Sequence, residues 1–353
     1  MTKHEFYIKR CIELAKNGLG TTYPNPLVGS VVVYKDQIIG EGWHRKAGEP
    51  HAEVNAVNAV KDKSLLKDAT IYVTLEPCSH FGKTPPCCDL IIANKIPNVV
   101  IGTVDPFAKV AGNGIKRLVE SGKNVTIGVL EEECNELNKR FFTFHKKKRP
   151  YVVLKWAETS DGFIAPKKIL KQVQHDKLAP VWITNPYSRQ LVHKWRTEEQ
   201  AILVGTNTVL EDNPKLDARD FVGNNPIRIV LDKTGKISEK FNVKDASLKT
   251  IFITESKKFT STENCTYENA IFGNSLAHSI LNILYKNNIQ SVLIEGGTTT
   301  LQTFINEGLW DEARIFNGSI KFQDGLEAPK INGEISSSFD IIKDHINIIR
   351  NYD

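Results

Sequence analysis

Thr70-Ile71-Tyr72-Val73-Thr74-Leu75-Glu76-Pro77-Cys78, separated by eight residues from Cys87, is the stretch on which the reading of this chain turns. Six residues rich in β-branched and aromatic side chains predict a buried strand, Thr70–Leu75, which runs almost directly into a Pro-Cys pair. Upstream, His51-Ala52-Glu53 opens a helical pattern that reaches Val60, with Val54, Val57 and Val60 facing inward. Downstream, 98–102 is another apolar strand. Nearer the N-terminus, 30–34 and 37–39 read as a hairpin, and Phe6, Cys11, Ile12 and Ala15 as the inner face of a first helix, capped by Thr2 and stopped near Gly18. This alternation predicts an α/β fold with a largely parallel sheet covered by helices.

The basic run Lys146-Lys147-Lys148-Arg149 ends in Pro150, where the pattern breaks and a new strand begins at Tyr151. Strands at 201–204, 227–231, 250–253 and 291–294 then repeat the alternation. With 353 residues the chain exceeds the usual single domain. Two domains are therefore expected, 1–146 and 150–353.

Composition narrows the classes. Lysine plus arginine exceed acids by 46 to 41, a net +5 that suits an anionic small substrate and calls for no nucleic acid. No apolar run is long enough to span a bilayer, and the first residues lack the basic-then-apolar order of a secretory signal, so a cytoplasmic location and no membrane partner are expected. Six cysteines in such a chain argue for thiols or metal ligands over a disulfide framework. Three of them, Cys78, Cys87 and Cys88, crowd together.

His51, Cys78 and Cys87 form the ligand set expected of a catalytic zinc ion, three protein ligands with a fourth position for water. Zinc lowers the pKa of bound water from about 15.7 toward ~7 and so makes hydroxide available at neutral pH. Glu53, two residues after the histidine, is placed to carry protons from that water to the ring nitrogen and the departing ammonia. H-x-E followed by P-C-x-x-C is the pattern of zinc nucleobase deaminases, but here eight residues separate the cysteines instead of two. A closed structural site, with Cys88 or His80 as fourth ligand, is the competing account. It leaves Glu53 without a use.

At this point the chain resembles the family of bifunctional riboflavin biosynthesis deaminase/reductases. The resemblance is carried by 23–29, Gly42-Trp43-His44, Gly48, His51-Ala52-Glu53, 74–80, Thr84-Pro85-Pro86-Cys87-Cys88, Asp105-Pro106 and 110–114. In that family the eight-residue gap is the normal one. The resemblance implies a cytidine-deaminase-like first domain that converts 2,5-diamino-6-(5-phosphoribosylamino)pyrimidin-4(3H)-one to the corresponding uracil, with Asn25, His44, Lys83 and Asp105 on this phosphoribosylated pyrimidine.

It also implies a dihydrofolate-reductase-like second domain that uses NADPH to reduce the ribosyl to a ribityl chain. Its residues include Ala157, Ser160-Asp161-Gly162, Trp182, Arg196, Thr208, Asp212, Leu216, Arg219, 226–232 and Glu295-Gly296-Gly297. By the same resemblance Ala157, Trp182, Thr208, Asp212, Gly296, Gly297 and Thr298 would face NADPH, and Arg196, Leu216, Arg219 and Glu295 the substrate. Read from the residues alone, 291–297 is a strand ending in two glycines before a helix from Thr298, a geometry that admits a phosphate at a helix N-terminus. There is no G-x-G-x-x-G fingerprint.

Two stretches depart from the family: 166–181 is longer than its counterpart and lacks a serine, and Asn317-Gly318 replaces Ala-Pro. A deaminase with an impaired reductase, a nucleic-acid deaminase fused to a binding domain, and a zinc-stabilised scaffold are the alternatives. Whether the chain forms a homo-oligomer is left open.

Overall fold

The computed structural model describes residues 1–81, 85–106, 112–167 and 181–352. They form two compact units, Met1–Lys148 and Arg149–Asp353.

The first unit opens with helix α1, Lys3–Lys16. The Thr2 hydroxyl accepts from the Glu5 N–H at 3.3 Å and the Glu5 carboxylate accepts from the Thr2 N–H at 2.6 Å, a reciprocal cap. Its buried stripe is Tyr7, Ile8, Cys11, Ile12 and Ala15, at helical spacing. Phe6, expected inside, is exposed and lies edge-on to Tyr7, because the stripe is centred one residue further along.

Five strands follow: β1 (Gly29–Tyr34), β2 (Gln37–Trp43), β3 (Thr70–Leu75), β4 (Asn98–Thr103) and β5 (Asn124–Ile127), in the spatial order β2-β1-β3-β4-β5. β1 pairs antiparallel with both β2 and β3, while β3, β4 and β5 pair parallel, so β1 alone runs against the rest. The period of two sorts the strand residues to opposite faces. Val32, Ile71, Val73, Val99 and Ile101 pack with helices α2 (Ala52–Ala59), α3 (Cys87–Ala93) and α4 (Asn113–Glu120). Val31, Val33, Tyr72 and Val100 pack with α1 and α5 (Glu131–Leu137). In α2 the fully inward positions are Ala52, Glu53, Ala56 and Val57, and Val54 is only half-buried. Helix α6 (Lys139–Lys147) closes the unit.

The second unit is built on a nine-stranded sheet. Seven strands run parallel in the order β11 (Cys265–Asn269), β10 (Thr250–Thr254), β9 (Ile227–Leu231), β8 (Ala201–Val204), β12 (Ser291–Ile294), β6 (Tyr151–Thr159) and β13 (Glu312–Gly318). The hairpin of β15 (Glu334–Ile341) and β16 (Asp344–Arg350) adds to β13 antiparallel. β7 (Phe163–Pro166) pairs separately with β14 (Gly325–Glu327). Helices α7 (Pro186–Glu198), α8 (Thr206–Asp212), α9 (Leu276–Lys286) and α10 (Thr298–Asn306) connect the strands. Among the described residues no helix is long and apolar enough to cross a membrane.

Candidate active sites

In the first unit the site forms where β3 and β4 end, the side of an α/β sheet on which loops are free to gather around a ligand. His51 is the N-cap of α2, Cys78 lies three residues beyond β3, and Cys87 is the first residue of α3. His51 Nδ1 stands 3.6 Å from Cys78 Sγ and 3.4 Å from Cys87 Sγ, and the three candidate ligand atoms lie within 4.8 Å of one another. The Cys87 N–H donates to Cys78 Sγ at 3.3 Å. The Cys87 thiol, the adjacent His51 and the Cys87 N–H together push the Cys78 thiol toward its thiolate, against the effect of burial. Two thiols and an imidazole converging on a half-buried point suit a borderline-soft dication, which would take the place of their shared protons. Cys88 points away and donates from Sγ to the Pro77 carbonyl at 3.2 Å.

Glu53, the second residue of α2, is 3% exposed. Burial, reinforced by the charge on Cys78, raises its carboxyl to about 7. It shares a cavity of about 530 Å³ with Asn25, His44, His51, Cys78 and Asp105. His44 is buried, and burial lowers its pKa. One neutral tautomer satisfies both its contacts: Nδ1–H donates to the Pro50 carbonyl at 3.2 Å, and Nε2 accepts from the Asn25 amide at 3.0 Å. Lys83, Thr84, Val110 and Ala111 lie outside the described residues. The cavity also includes Glu76, His80 and Phe141, which the sequence did not single out as cavity residues. Phe141 arrives from α6, far along the chain, with no local motif to announce it.

In the second unit a cavity of about 960 Å³ is bounded by Ala157, Trp182, Arg196, Thr208, Asp212, Arg219, Glu295 and Gly297. Arg196 meets Glu295 in a two-pronged pair, Nε to Oε1 at 2.8 Å and Nη2 to Oε2 at 2.9 Å, and its Nη1 donates to the Asp217 carbonyl at 2.9 Å. Lys155 Nζ is 3.7 Å from Glu295 Oε2. Burial alone would raise the Glu295 carboxyl, but Arg196 and Lys155 outweigh it and hold it at about 2. Trp182 is 54% exposed and stacks under the Arg189 guanidinium at 4.4 Å.

Three of the expected residues sit behind this wall. Leu216 is buried in the cluster of Ile202, Val204 and Val209. Gly296 lies against the backbone of Val204, and the Thr298 hydroxyl donates to the Glu327 carbonyl at 3.0 Å. Lys155 and His193 are cavity residues that sequence reasoning missed; His193 Nε2 is 3.1 Å from Asp220 Oδ2. Of the longer stretch 166–181, residues 168–180 lie outside the described ones. The other departure has a local reason: Asn317 donates to Glu158 at 2.6 Å, and any Cβ at Gly318 would come within 2.4 Å of the Ile183 carbonyl.

Comparison with known proteins agrees with both halves. Residues 1–103 match the cytidine and deoxycytidylate deaminase zinc-binding region, and 150–322 match the RibD C-terminal domain. The chain is 40% identical over 333 residues to the riboflavin biosynthesis protein RibD of Aquifex aeolicus, covering 93% of this chain and 87% of the relative. Against the RibD of Escherichia coli it is 36% identical, with coverages of 88% and 86%. The crystal structure of a diaminohydroxyphosphoribosylaminopyrimidine deaminase/5-amino-6-(5-phosphoribosylamino)uracil reductase from Thermotoga maritima is similar with a TM-score of 0.88 at 39% identity, over 99% of both chains. Acinetobacter baumannii RibD gives 0.88 at 30% identity, again over 99% of both. A zinc-binding deaminase half with a His/Cys/Cys triad and a dihydrofolate-reductase-like half thus share one polypeptide, and the chain belongs to the RibD family of bifunctional riboflavin biosynthesis deaminase/reductases.

Proposed function

We propose that the first cavity deaminates 2,5-diamino-6-(5-phosphoribosylamino)pyrimidin-4(3H)-one, with His51, Cys78 and Cys87 holding zinc and Glu53 moving the protons. When bound, zinc supplies the Lewis acidity that makes water nucleophilic near neutrality. Glu53 takes one proton from the attacking water and passes it to the ring nitrogen as the carbon–oxygen bond forms. It then relays the remaining hydroxyl proton to the amino nitrogen as the carbon–nitrogen bond breaks, so that the ring carbon keeps the oxygen as a carbonyl and the amine leaves as ammonia. The observation that carries this reading is the carboxyl of Glu53, buried in the same cavity as three convergent soft ligands. Asn25, His44 and Asp105 would hold the pyrimidine, with Lys83 as a further contact. The neutral His44, fixed by Pro50 and Asn25, would be a rigid wall for the ring.

The second cavity would reduce the ribosyl group with NADPH. Its residues fit such a cofactor: Gly297 borders the cavity at the start of α10 with φ 69°, no acidic side chain stands in that helix's first turn, and the helix's free N–H groups suit a phosphate. Ala157, Trp182, Thr208, Asp212, Gly296, Gly297 and Thr298 would serve NADPH, by contact or, for Gly296 and Thr298, by shaping the wall behind it. Arg196, Arg219 and Glu295 would orient the sugar phosphate, with Leu216 as packing beneath them. The protein's part is to hold the sugar's first carbon open to hydride and exclude water.

Product analysis of the purified chain with the diaminopyrimidine phosphate, with and without NADPH, tests both halves. Ammonia and the aminouracil are expected without NADPH, and the ribityl product with it. Ammonia release without NADPH oxidation would confine the activity to the first unit.

A further inference from the structure

We propose that Glu76 is a positioning residue for deamination: its buried carboxylate gathers four backbone N–H groups and thereby sets Asp105 on the cavity wall. The inference rests on reading that cavity as the deaminase site.

Glu76 is the first residue beyond β3, and its own N–H donates to the Thr103 carbonyl at 3.0 Å, carrying the pairing with β4 one step further. Its side chain is buried. Oε2 accepts from the N–H of Asp105 at 3.3 Å and of Gly112 at 3.0 Å, and Oε1 from Gly114 at 2.9 Å and Ile115 at 3.3 Å. Helix α4 has Gly112 at its N-cap, with no side chain to satisfy the first-turn N–H groups. Glu76 supplies that cap from a separate strand, and the positive end of the helix favours its charge.

The approach is tight. A Cβ at Gly114 would fall 2.1 Å from the Pro77 carbonyl and 3.2 Å from Cys88 Sγ. Cys88 in turn donates to the carbonyls of Pro77 and Gly114. One carboxylate therefore joins the residue before the candidate ligand turn, the start of α4 and the backbone of Asp105, and Glu76, Cys78 and Asp105 face the same cavity. Only a carboxylate offers two acceptor oxygens here. A glutamine would turn its NH₂ against two N–H donors and leave them buried without a partner.

The test uses Glu76→Gln in the full chain, with zinc content, kcat and KM for ammonia release, and amide hydrogen exchange read on the same preparation. We expect zinc to be retained, exchange at Gly112, Gly114 and Ile115 to accelerate, and KM to rise about 10–100-fold with a smaller change in kcat. In an Asp105→Ala background the KM effect should largely vanish, because both changes act on one contact. Unchanged exchange at those amides overturns the proposal whatever the turnover. Faster exchange with unchanged KM makes Glu76 a structural brace only, and additive KM effects detach it from Asp105; loss of zinc with the lost activity likewise overturns it. A wild-type chain that releases no ammonia overturns the deaminase reading itself, whereas wild-type turnover with any of the other outcomes overturns only the role of Glu76.

Discussion

Arg196 and Glu295 face each other in parallel, two nitrogens against two oxygens at 2.8 and 2.9 Å, with Lys155 Nζ 3.7 Å from Oε2 of the same carboxylate. Both side chains are largely out of water, 12% and 8% exposed, so the pair's value lies in mutual compensation: desolvating either charge alone is costly. Replacing Glu295 by alanine leaves two cations buried around a cavity and should destabilise the second unit by about 3–5 kcal/mol. A melt of the full chain checks this as a lower transition for that unit, with reductase activity lost in parallel.

The same carboxylate carries a pH dependence. Its folded pKa of about 2 lies below the ordinary value, so it contributes stability that is fully present above the unfolded pKa, and that is lost as pH falls through the folded one. The depression corresponds to about 3 kcal/mol. Between about pH 4.5 and 2 the second unit should therefore lose stability, and Glu295→Gln should flatten that part of its denaturation profile. Equal acid sensitivity in the two proteins would refute the assignment.

Glu53→Gln keeps the shape of a buried side chain and removes its ability to accept a proton. Deaminase kcat should fall by ~10²–10⁴-fold, with zinc content and melting temperature preserved. Metal analysis and ammonia release on one sample separate this from Cys87→Ser. That substitution removes a candidate ligand directly, so zinc content and deamination should fall together. It should also lower the first unit's melting temperature, since a ligand bound only to the native state stabilises it.

Much of this was legible beforehand, and the rest was hidden for identifiable reasons. β3, β8, β9 and β12 are short, strongly apolar runs between turn residues, and their bounds follow from composition. β15 is exposed along nearly its whole length, Glu334-Ile-Ser-Ser-Ser-Phe-Asp-Ile341, so no buried face imposes a pattern; only pairing with β16 makes it a strand. His51, Glu53, Cys78 and Cys87 stand in two short motifs and could be read locally. Glu76 stood in one of them too, but its partners are backbone groups 29–39 residues away, which carry no side-chain signal. Lys155 and His193 were missed because a lysine in a strand and a histidine on a helix are ordinary until Glu295 and Asp220 are brought beside them.

Gly296 and Gly297 look equivalent in sequence and do different work. At Gly296 a Cβ would fall 2.7 Å from Val204 Cα, so the end of β12 has to yield to the end of β8, and backbone cannot move aside cheaply. Gly296→Ala should cost about 1–3 kcal/mol through overpacking. At Gly297 the nearest atom, Thr208 Oγ1, would be 3.5 Å away, an ordinary contact, but φ is 69°, where a side chain costs roughly 1–2 kcal/mol. Gly297 borders the cavity at the N-terminus of α10, so Gly297→Ala should also displace the free N–H groups offered to the cofactor. Its signature is a rise in KM for NADPH larger than its loss of stability accounts for. Gly296→Ala should show the reverse, a lower melting temperature with near-normal KM in the fraction that stays folded; identical KM shifts in the two variants would mean that the cofactor does not use this helix end.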